Sequence, residues 1–531
     1  MSAQVTMGLL THEPDAYEGY TLFSALSSGT TYLIDNCGNQ IRFWNSPESG
    51  GPTYSAYLYD NGNLIVSRGV GSPHFQGGGR AGRVELFNWE GDLIWTGLFA
   101  DAQMHQHHDI EPLPNGNFLM IVWTKKTVEE AEAAGRVFQD NANEMWPDAI
   151  YEIEPVGTEF YNIVWEWHVW DHLVQEVDPE GANYGIVSEH PELFDVNYYN
   201  LSNNSGDWNH FNGIDYHAEL DQIAISSRHF NEIYIIDHST TTAEAAGHTG
   251  GNSGKGGDIL YRWGNPEVYQ RGDEDDFLLY GQHDVRWIPE GYPGEGNLMV
   301  FNNGISRPGP NYSSVDTWAP PLQADGNYTL AEGAPYGPEG YSYSYSSSPV
   351  SELFSPNISG AMRLPNGNTL LCEGQTGYLR EVDPDEQIVW EYINPVSNLG
   401  PMTQGNYPIN NSVFKVERYA PEHPAFEGRD LTPMEPIELE PIPMECFLYT
   451  VATEASELAN APRIAPNPFS DRLFLEMGSP QPARVCVRNA FGKTIFETTI
   501  AGQLEVNTAE WAPGLYVVQM EGSAAWKVVR L

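Results

Sequence analysis

A strand–turn–strand phrase with an Asn-Gly turn recurs along much of the chain, and it constrains the fold more than any other feature. Three copies are close: YLYDNGNLIV from Tyr57, EPLPNGNFLMIV from Glu111 and RLPNGNTLLCE from Arg363. WIPEGYPGEGNLMVF from Trp287 is a further copy, and HFNGIDYHAELDQIAIS from His210 is a looser one. Asn-Gly turns between alternating apolar segments are the strongest short-range signal for a β-hairpin. The chain is therefore predicted to be all-β and built from repeated hairpins.

A second phrase, a strand–turn–strand that ends in tryptophan, closes most of the repeats. It is present as YLIDNCGNQIRFW, VELFNWEGDLIW and REVDPDEQIVW, and in shorter form as VWEW and ILYRW. Two hairpins per repeat make one four-stranded blade, and five such repeats lie between Tyr54 and Tyr392. The segments GYTLFSALSSGTTYLIDNCGNQIRFW and NYPINNSVFKVERY would together make a sixth blade without open edges. We therefore predict a six-bladed β-propeller over residues 1–430.

The amino-acid composition of the chain changes after residue 430. Residues 431–462 are rich in proline and glutamate, which is typical of a linker. Residues 463–531 contain about seven short strands separated by glycine turns, and they predict a small C-terminal β-sandwich. We expect this sandwich to be dispensable for chemistry in the propeller, so that a chain ending near Pro443 keeps its activity.

The 531-residue chain carries a formal net charge of −47, and nearly all of the excess lies before Arg463. Such a surface repels nucleic acid and anionic lipid, so neither is expected as a partner. A solvated acidic coat accounts for the charge, and no D-x-[DN]-x-[DN]-G calcium loop is present. No apolar run of about 18 residues occurs, so no membrane-spanning helix is predicted.

The four cysteines lie far apart and form no C-x-x-C pair: Cys37, Cys372, Cys446 and Cys486. A zinc site built on cysteine is therefore not expected. The spacing fits either two disulfides or free thiols, and it does not distinguish these alternatives.

One position of the repeat carries histidine in three successive copies. Seven residues before the turn lie His108, His210 and His283, and the following copy has Ser359 there. Equivalent positions in a propeller are related by rotation about the central axis, so these side chains are expected to converge. The remaining histidines near the repeats show no such pattern and are interpreted as structural or loop-borne: His105, His107, His217 and His229.

Asn212 and Arg228 extend this predicted cluster. Asn212 lies two residues after His210 and so shares its face of the strand, and Arg228 takes an inward position on the next strand. Imidazole, carboxamide and guanidinium groups together suit a tetrahedral oxyanion, because each supplies hydrogen-bond donors. Three histidines would also suit zinc or iron. The fixed positive charge of Arg228 disfavours such a metal, and none is predicted.

The runs HHDIEPLPNGNFL, HFNGIDYHAELDQIAISSRHFNEIYIIDHST, LYRWGNPEVY and GQHDVRWIP resemble the arylsulfotransferase family, which does not use nucleotide sulfate donors. The resemblance covers nearly the whole predicted propeller, and its H-x-N motif followed sixteen residues later by arginine is specific. It implies that His283 is the nucleophile that becomes sulfated. Ser359 falls where the family has a hydroxyl residue. The residues that match the family's other site positions are His108, His210, Asn212 and Arg228.

The reaction implied by this resemblance is a ping-pong transfer from a phenolic sulfate ester to a phenolic acceptor. Neutral His283 attacks the sulfur, and Arg228 and Asn212 hold the oxygens that gain charge, together with the flanking imidazoles. His108 or His210 protonates the leaving phenolate and later deprotonates the acceptor. No nucleotide or organic cofactor is required.

The C-terminal segment has a resemblance of its own. The pieces APNPFSDRL, RNAFGKTIFE, WAPGLYVV and WKVVRL are together similar to the sorting domain of the type IX secretion system. This resemblance spans residues 463–531. It implies a partner in the type IX secretion machinery, export through the periplasm and outer membrane, and a secreted or cell-surface location.

Three alternatives stay open from the sequence. A non-catalytic secreted binding propeller, such as a lectin or adhesin, would use the same export segment and would not need the histidine cluster. A quinone-dependent dehydrogenase also has blades that end in tryptophan, but it usually has more repeats than this chain. A sulfatase-like hydrolase would use the same residues with water as the acceptor.

Overall fold

The chain divides into two compact units, Met1–Tyr449 and Thr450–Leu531. The computed structural model describes residues 5–47, 51–138, 143–199, 201, 206–442, 446, 463–465, 470, 472–476, 483–489, 493–500, 503–520 and 525–530. In this described part the chain is all-β with a few short helices, as predicted.

The strands of the first unit follow the repeat phrases of the sequence. In chain order they are β1 (Gly8–His12), β2 (Tyr20–Ala25), β3 (Thr30–Ile34), β4 (Gln40–Asn45), β5 (Thr53–Leu58), β6 (Leu64–Gly69), β7 (Gly82–Phe87), β8 (Leu93–Leu98), β9 (Met104–Pro112), β10 (Phe118–Thr124), β11 (Lys126–Thr127), β12 (Glu144–Met145), β13 (Asp148–Val156), β14 (Phe160–His168), β15 (Leu173–Val174), β16 (Phe194–Asp195), β17 (Phe211–His217), β18 (Gln222–Ser227), β19 (Glu232–Asp237), β20 (Tyr261–Trp263), β21 (His283–Trp287), β22 (Leu298–Asn302), β23 (Ser314–Trp318), β24 (Tyr343–Tyr345), β25 (Gly360–Arg363), β26 (Thr369–Glu373), β27 (Tyr378–Val382), β28 (Ile388–Ile393), β29 (Val396–Ser397), β30 (Gly400–Pro401) and β31 (Val413–Tyr419).

Helical segments are short and lie between the strands. Two are α-helical, α1 (Val128–Ala133) and α2 (Thr242–Ala245). The others are 3-10 helical turns: Val169–Asp171, Val187–Glu189, Pro266–Tyr269, Glu274–Asp276, Val350–Glu352 and Pro424–Phe426. Within the described ranges, no helix has the length and apolar character needed to cross a membrane.

The longer strands of the first unit form six antiparallel sheets within its described residues. Sheet I consists of β31, β2, β3 and β4, sheet II of β5 to β8, and sheet III of β9, β10, β13 and β14. Sheet IV consists of β17 to β20, sheet V of β21 to β24, and sheet VI of β25 to β28 with β1 added beside β28. The first strand of each sheet contacts the first strand of the next, from β31 through β5, β9, β17, β21 and β25 back to β31. The arrangement is propeller-like.

The predicted Asn-Gly turns join the first and second strands of these sheets. Between β9 and β10, the backbone N–H of Leu113 donates to the carbonyl of Asn117 at 2.8 Å. Gly116 has a φ of 89°, a left-handed conformation that glycine adopts without steric cost. The turn chemistry of the sequence therefore sets where each hairpin reverses.

Apolar side chains fill the space between neighbouring sheets. Separate buried clusters connect sheets I and II, II and III, V and VI, and VI and I, and a larger cluster connects sheets III, IV and V. The tryptophans that close the repeats contribute to this packing and are buried: Trp44, Trp95, Trp167, Trp263 and Trp390. The second sequence phrase thus supplies the large side chains that fix one sheet against the next.

The two ends of the first unit meet in neighbouring sheets. β31 pairs with β2, which is the pairing expected from the two end segments. In addition, β1 pairs with β28, a strand that sequence analysis missed because its five residues carry no repeat phrase. A disulfide joins Cys37 to Cys446, whereas Cys372 and Cys486 are free thiols. The sequence left two disulfides or free thiols open, and the structure has one disulfide and two free thiols.

Part of the segment assigned to the linker packs against the first unit. Ile437 is 3% exposed, Pro436 forms an isolated bridge with Asn39, and Leu439 forms one with Thr403. Burial of an isoleucine side chain gives this stretch a fixed position that its proline-rich composition does not indicate. Most of the remaining predicted linker lies outside the described residues.

The second unit contains seven strands in its described part. They are β32 (Arg463–Ala465), β33 (Arg472–Glu476), β34 (Ala483–Asn489), β35 (Thr494–Ile500), β36 (Gln503–Asn507), β37 (Gly514–Met520) and β38 (Ala525–Arg530). One sheet has the order β32-β33-β36 and the other β35-β34-β37-β38. Leu475 from the first sheet and Val487 and Val518 from the second belong to one buried cluster.

Candidate active site

The structure brings three of the sequence-predicted histidines together. His108 lies within β9, His210 immediately before β17, and His283 at the first position of β21. The ring centroids of His108 and His210 are 4.7 Å apart, and those of His108 and His283 are 6.5 Å apart. All three side chains are buried. The first strands of sheets III, IV and V therefore bring three imidazoles together.

Left-handed backbone residues occur at these strand starts. His108 and His210 have φ values of 52° and 53°, and in sheet V the left-handed residue is Asp284, with a φ of 57°. The strand pairing shows a β-bulge beside each of these residues. Such bulges turn side chains away from the regular alternation, and left-handed residues other than glycine are unfavourable unless their surroundings hold them. Three strained backbone positions thus lie at the cluster.

His283 is held in one tautomer. Its Nδ1 lies 2.8 Å from Oδ1 of Asn303 and 3.1 Å from the carbonyl of Gly281, both acceptors, so Nδ1 carries the proton. Its Nε2 accepts a hydrogen bond from the backbone N–H of Ile358 at 3.2 Å. Burial, together with the positive charge of Arg228, lowers the pKa of His283 to about 3. The ring is therefore neutral near pH 7, with its lone pair on Nε2.

His210 is paired directly with a carboxylate. Its Nδ1 lies 2.5 Å from Oδ2 of Asp207, and the other oxygen of Asp207 accepts a hydrogen bond from Nε1 of Trp123 at 3.1 Å. Burial raises the pKa of Asp207, but the charge and the hydrogen bond of His210 outweigh it and bring that pKa to about 2. The ionised Asp207 is thus placed to orient the His210 ring through its Nδ1.

His108 ends a buried hydrogen-bonded chain. Nδ1 of His108 lies 2.8 Å from Nδ1 of His107, and Nε2 of His107 lies 2.8 Å from Oδ1 of Asp148. The His107 ring stacks on Trp123 with centroids 3.9 Å apart. Burial lowers the pKa of both histidines well below the usual range. Each member of this chain fixes the tautomer of the next. When Asp148 is protonated, Nε2 of His108 carries a proton and donates. When Asp148 is ionised, Nε2 of His108 has a lone pair and accepts.

Arg228 and Asn212 take different positions beside the cluster. The backbone N–H of Arg228 donates to the carbonyl of His210 at 3.1 Å, and its half-buried guanidinium has no hydrogen-bond or ion-pair partner among the described residues. Asn212 is fully buried, and its Nδ2 donates to the carbonyl of Gln282, next to His283, at 2.7 Å. Arg228 thus offers free donors, whereas Asn212 ties β17 to the strand that carries His283.

Ser359 is bound into the backbone of sheet VI. Its Oγ accepts a hydrogen bond from the N–H of Gly374 at 3.0 Å, and its own φ is 89°. It is buried, and its neighbour Ile358 provides the N–H that reaches His283. The repeat position of Ser359 is therefore adjacent to the cluster through the backbone of residue 358.

Two histidines that sequence analysis set aside lie against the cluster. His229 stacks on His210 with centroids 4.6 Å apart, and on Tyr199 at 4.4 Å. Burial, followed by the charge of His210, lowers the pKa of His229 to about 3. His107 is the middle member of the chain described above. Neither residue lies at the repeat position, so counting from the turn could not find them, although each directly follows or precedes a residue that was found.

A run of three glycines covers one side of the cluster. A Cβ on Gly79 would lie 2.1 Å from Cε1 of His108, and one on Gly77 would lie 2.5 Å from the Trp123 ring. Gly79 has a φ of 71°, and its carbonyl accepts a hydrogen bond from the N–H of His108 at 2.7 Å. The QGGGR run of the sequence is the pattern that could have indicated this contact.

Aromatic side chains line another side. Phe414, at the start of β31, has its ring 6.1 Å from that of His108 and 5.7 Å from that of Tyr54. Tyr54 lies seven residues before the turn of the first repeat, so it takes the position that carries histidine in later repeats. These rings are apolar surfaces next to the imidazoles, as an aromatic ligand would require.

The cluster also contains atoms close enough to bind a cation. Asp207, His210 and His229 present ligand atoms within 4.8 Å of one another. Nδ1 of His210 is already hydrogen-bonded to Asp207, and the guanidinium of Arg228 lowers the pKa of His229, which shows that its charge acts on this group. These contacts favour an anion at the cluster over a metal.

Comparison with known protein families identifies the first unit. A family model for arylsulfotransferase (ASST) matches residues 11–323, which is more than half of the chain. The chain belongs to the arylsulfotransferase family. The matched range includes His108, His210, Arg228 and His283, and it ends before Ser359. Sulfuryl transfer is the chemistry of the arylsulfotransferase family, and its range contains the whole histidine cluster.

The C-terminal segment of this arylsulfotransferase matches a second family model. Residues 463–531 match the secretion system C-terminal sorting domain. The protein is therefore exported, and it is secreted or displayed at the cell surface. The sorting domain also makes the type IX secretion machinery a partner in that export.

No curated protein sequence matches the arylsulfotransferase chain. Among solved structures, a protein of unknown function from Bacteroides caccae shares 10% identity, with 76% of this chain and 98% of that chain covered and a TM-score of 0.40. The periplasmic gluconolactonase PpgL of Pseudomonas aeruginosa shares 13%, with 76% and 100% covered and a TM-score of 0.38. The Cps50 (Swd1) β-propeller domain of Myceliophteria thermophila shares 10%, with 73% and 90% covered and a TM-score of 0.37. Likenesses at these scores carry no conclusion about function.

Proposed function

We propose that the protein is an arylsulfate sulfotransferase that moves a sulfuryl group from a phenolic sulfate ester to a phenolic acceptor through a sulfated His283. The observation that carries this proposal is the state of His283: it is neutral, its Nδ1–H is held by Asn303, and its Nε2 lone pair faces Ile358 N–H at only 3.2 Å. A neutral imidazole with one nitrogen fixed as a donor has its nucleophilic electron pair on the other.

In the first step, Nε2 of His283 attacks sulfur, the bond from sulfur to the phenolic oxygen breaks, and the phenolate leaves. His210 donates a proton to that phenolate, supported by the ionised Asp207 at its Nδ1. The hydrogen bond from Ile358 opens as the new N–S bond forms, and its N–H becomes available to an oxygen of the sulfuryl group. The product of this step is sulfohistidine at residue 283 and a free phenol.

In the second step, the acceptor phenol loses its proton to His210 and its oxygen attacks sulfur. The N–S bond breaks and returns the electron pair to Nε2 of His283. The same group thus acts as acid in one direction and base in the other, as reversible transfer requires. Water in place of the phenol would make the reaction a hydrolysis, so the transferase assignment is tested by acceptor dependence.

Arg228 is proposed to bind the sulfuryl oxygens. Its guanidinium has no hydrogen-bond or ion-pair partner among the residues that the structure describes, and it acts electrostatically on both His283 and His108. Preorganised donors aimed at oxygens that gain charge stabilise the transition state without reorganisation. Asn212 is proposed to bind the sulfate group. Through its hydrogen bond to the carbonyl of Gln282, it is also proposed to position His283.

His108 is proposed to contact the substrate as the end of the Asp148–His107–His108 chain. The distances of 2.8 Å along this chain support a shared proton. Nε2 of His108 then donates to a sulfuryl oxygen in one proton arrangement and accepts in the other. His107 and Asp148 act through His108 and are positioning residues.

We further infer that the six sheets are the blades of a six-bladed β-propeller with the cluster on its axis. The contacts among the six first strands support this reading. The two sheets of the second unit share one buried cluster, which supports a β-sandwich over residues 463–531. Residues 1–430 would then be the catalytic domain, with 431–462 as the connection.

The proposal predicts a covalent intermediate. Incubation with 4-nitrophenyl sulfate alone should add one sulfuryl group per chain, carried on the peptide that contains Gln282, His283 and Asp284. His283→Ala should abolish labelling and turnover, because it removes the imidazole nitrogen that is proposed to carry the sulfuryl group. His217→Ala is the matched control, since His217 packs on Trp287 away from the cluster and its loss should leave labelling intact.

Intact-protein mass spectrometry after rapid quench measures this intermediate, and peptide mapping assigns its site. Label on His108 or His210 would move the nucleophile to another sheet. Turnover to a phenolic acceptor with no labelled protein at any quench time would contradict the two-step mechanism. Release of 4-nitrophenol that is independent of the acceptor would indicate a hydrolase.

A further inference from the structure

A second histidine cluster lies away from the proposed active site, between the segment that follows β14 of sheet III and the loop that connects β19 to β20 in sheet IV. His172 follows the 3-10 turn after β14, and His248 and Asp258 lie on the glycine-rich loop after α2. Nδ1 of His172 is 2.9 Å from Oδ1 of Asp258, and Nδ1 of His248 is 2.7 Å from the same oxygen. Ligand atoms of all three residues lie within 4.8 Å of one another.

The hydrogen bonds of His172 leave a lone pair directed into this cluster. Its Nε2 is 2.8 Å from the carbonyl oxygen of Ala245, which only accepts, so Nε2 carries a proton. In the neutral ring, Nδ1 is then an acceptor that faces the acceptor Oδ1 of Asp258. Two facing lone pairs need a cation between them, either a proton on His172 or a metal ion.

Several contacts orient His172 as a metal ligand is usually oriented. His172 is fully buried and stacks on Trp167 with centroids 5.7 Å apart. A ligating histidine usually donates its other ring N–H to a carbonyl or carboxylate, and the bond to Ala245 has that form. Gly257 allows this approach, since a Cβ there would lie 2.6 Å from Nε2 of His172. The ring is thus oriented as a ligand.

The geometry has room for a small ion after a modest movement. Zinc binds nitrogen and oxygen at about 2.0–2.2 Å in a tetrahedron, which separates neighbouring ligand atoms by roughly 3.3 Å. The two observed separations need to open by about half an ångström. The side chain of His248 is 61% exposed and lies on a glycine-rich loop, so it is able to move and leaves the fourth position open to water.

We propose that His172, His248 and Asp258 form a binding site for a divalent transition metal such as zinc, with water as the fourth ligand. Two imidazoles and a carboxylate are the donor set that suits this class of ion. The ion would fasten the glycine-rich loop to the segment that follows β14. This site is separate from the sulfuryl-transfer chemistry.

Zinc chloride titrated into the full-length, chelator-treated protein tests the proposal. Calorimetry and elemental analysis measure affinity and stoichiometry, and thermal melting measures stabilisation. We expect His248→Ala and Asp258→Asn each to weaken zinc binding at this site by at least about tenfold and to remove one equivalent. His190→Ala is the matched control, because His190 pairs with Glu192 at 2.9 Å at a partly exposed position and belongs to no three-ligand group among the described residues.

Because His248 is exposed, His248→Ala should melt like the unaltered protein when zinc is absent, and the zinc-dependent rise in melting temperature should be lost. X-ray fluorescence with anomalous diffraction locates the ion in crystals. Zinc affinity and stoichiometry that are unchanged in His248→Ala and Asp258→Asn would overturn the proposal. Absence of zinc binding at micromolar concentration would overturn it as well.

Discussion

Burial keeps several of the site histidines neutral near pH 7, which a histidine nucleophile requires. The pKa of His283 falls to about 3 because its charged form loses hydration and faces Arg228. An imidazole in water, with a pKa of about 6.5, would be partly protonated at the same pH. His210 has a different partner, because the carboxylate of Asp207 contacts its Nδ1 directly. Neighbouring rings of one residue type therefore have different hydrogen-bond partners.

The pKa of His283 predicts the pH dependence of labelling. Since the group is neutral above its folded-state pKa, labelling by donor alone should stay constant from about pH 7 to about pH 5 and fall only as the pH approaches about 3. Arg228→Gln removes a positive charge beside the ring, so the acid limb should move to higher pH. Quenched-flow labelling across this range measures both. A limb near pH 6.5 in the unaltered protein would contradict the assigned protonation state.

At the scale of elements, β-bulges and the triple-glycine run determine where the residues of the candidate site lie. The bulges beside His108, His210 and Asp284 reorient residues that regular pairing would send to alternate faces. Gly79 then packs on His108 where any side chain would collide. The position of the His108 ring is therefore set jointly by β9 and by the loop between β6 and β7.

This contact makes Gly79 a sensitive position. Gly79→Ala should lower kcat by about 10- to 100-fold, because its Cβ would lie 2.1 Å from Cε1 of His108 and displacement of a site residue by about 1 Å has effects of that order. Gly71→Ala, in the same loop, is the control: a Cβ there meets nothing within 4 Å. Steady-state kinetics with both variants compares them. Equal activity of the two would show that the loop does not position His108.

At the scale of the whole molecule, the boundary between the two units follows the disulfide partner of Cys37. The first unit extends to Tyr449, and Cys446 lies inside it. A chain that ends near Pro443 would keep the strands of the first unit and lose this disulfide. The position of the cut therefore affects stability even though the second unit carries no residue of the proposed active site.

Truncation tests this modularity. A chain ending at Tyr449 should keep full transferase activity, whereas one ending at Pro443 should melt at a lower temperature because a disulfide of this kind contributes roughly 2–4 kcal/mol to the free energy of unfolding. Cys37→Ser in the longer form should reproduce that loss. Thermal melting measures the stability of the three proteins, and activity assays measure their transferase activity. Identical melting of all three would mean that the disulfide does not stabilise the first unit.

The sequence by itself determined the strand class, the hairpin turns and the repeat position of three histidines. Asn-Gly turns and alternating apolar residues act locally, so their structural meaning is readable without the rest of the chain. The repeat then related His108, His210 and His283 although they are far apart along the chain. Elements without a repeat phrase, such as β1 and the short pairs β11–β12, β15–β16 and β29–β30, were not indicated by the sequence, nor was the packed part of residues 431–439.

Only the tertiary structure decided the partners of those histidines. Asp207 lies in an insert that no repeat describes, Asn303 follows the second strand of sheet V, and Asp148 begins the third strand of sheet III. Hydrogen bonds at 2.5–2.8 Å across such elements depend on how each sheet is rotated and on where its bulge falls. The same packing removes water from the rings and lowers their pKa values, and a pattern along the chain carries no measure of that burial.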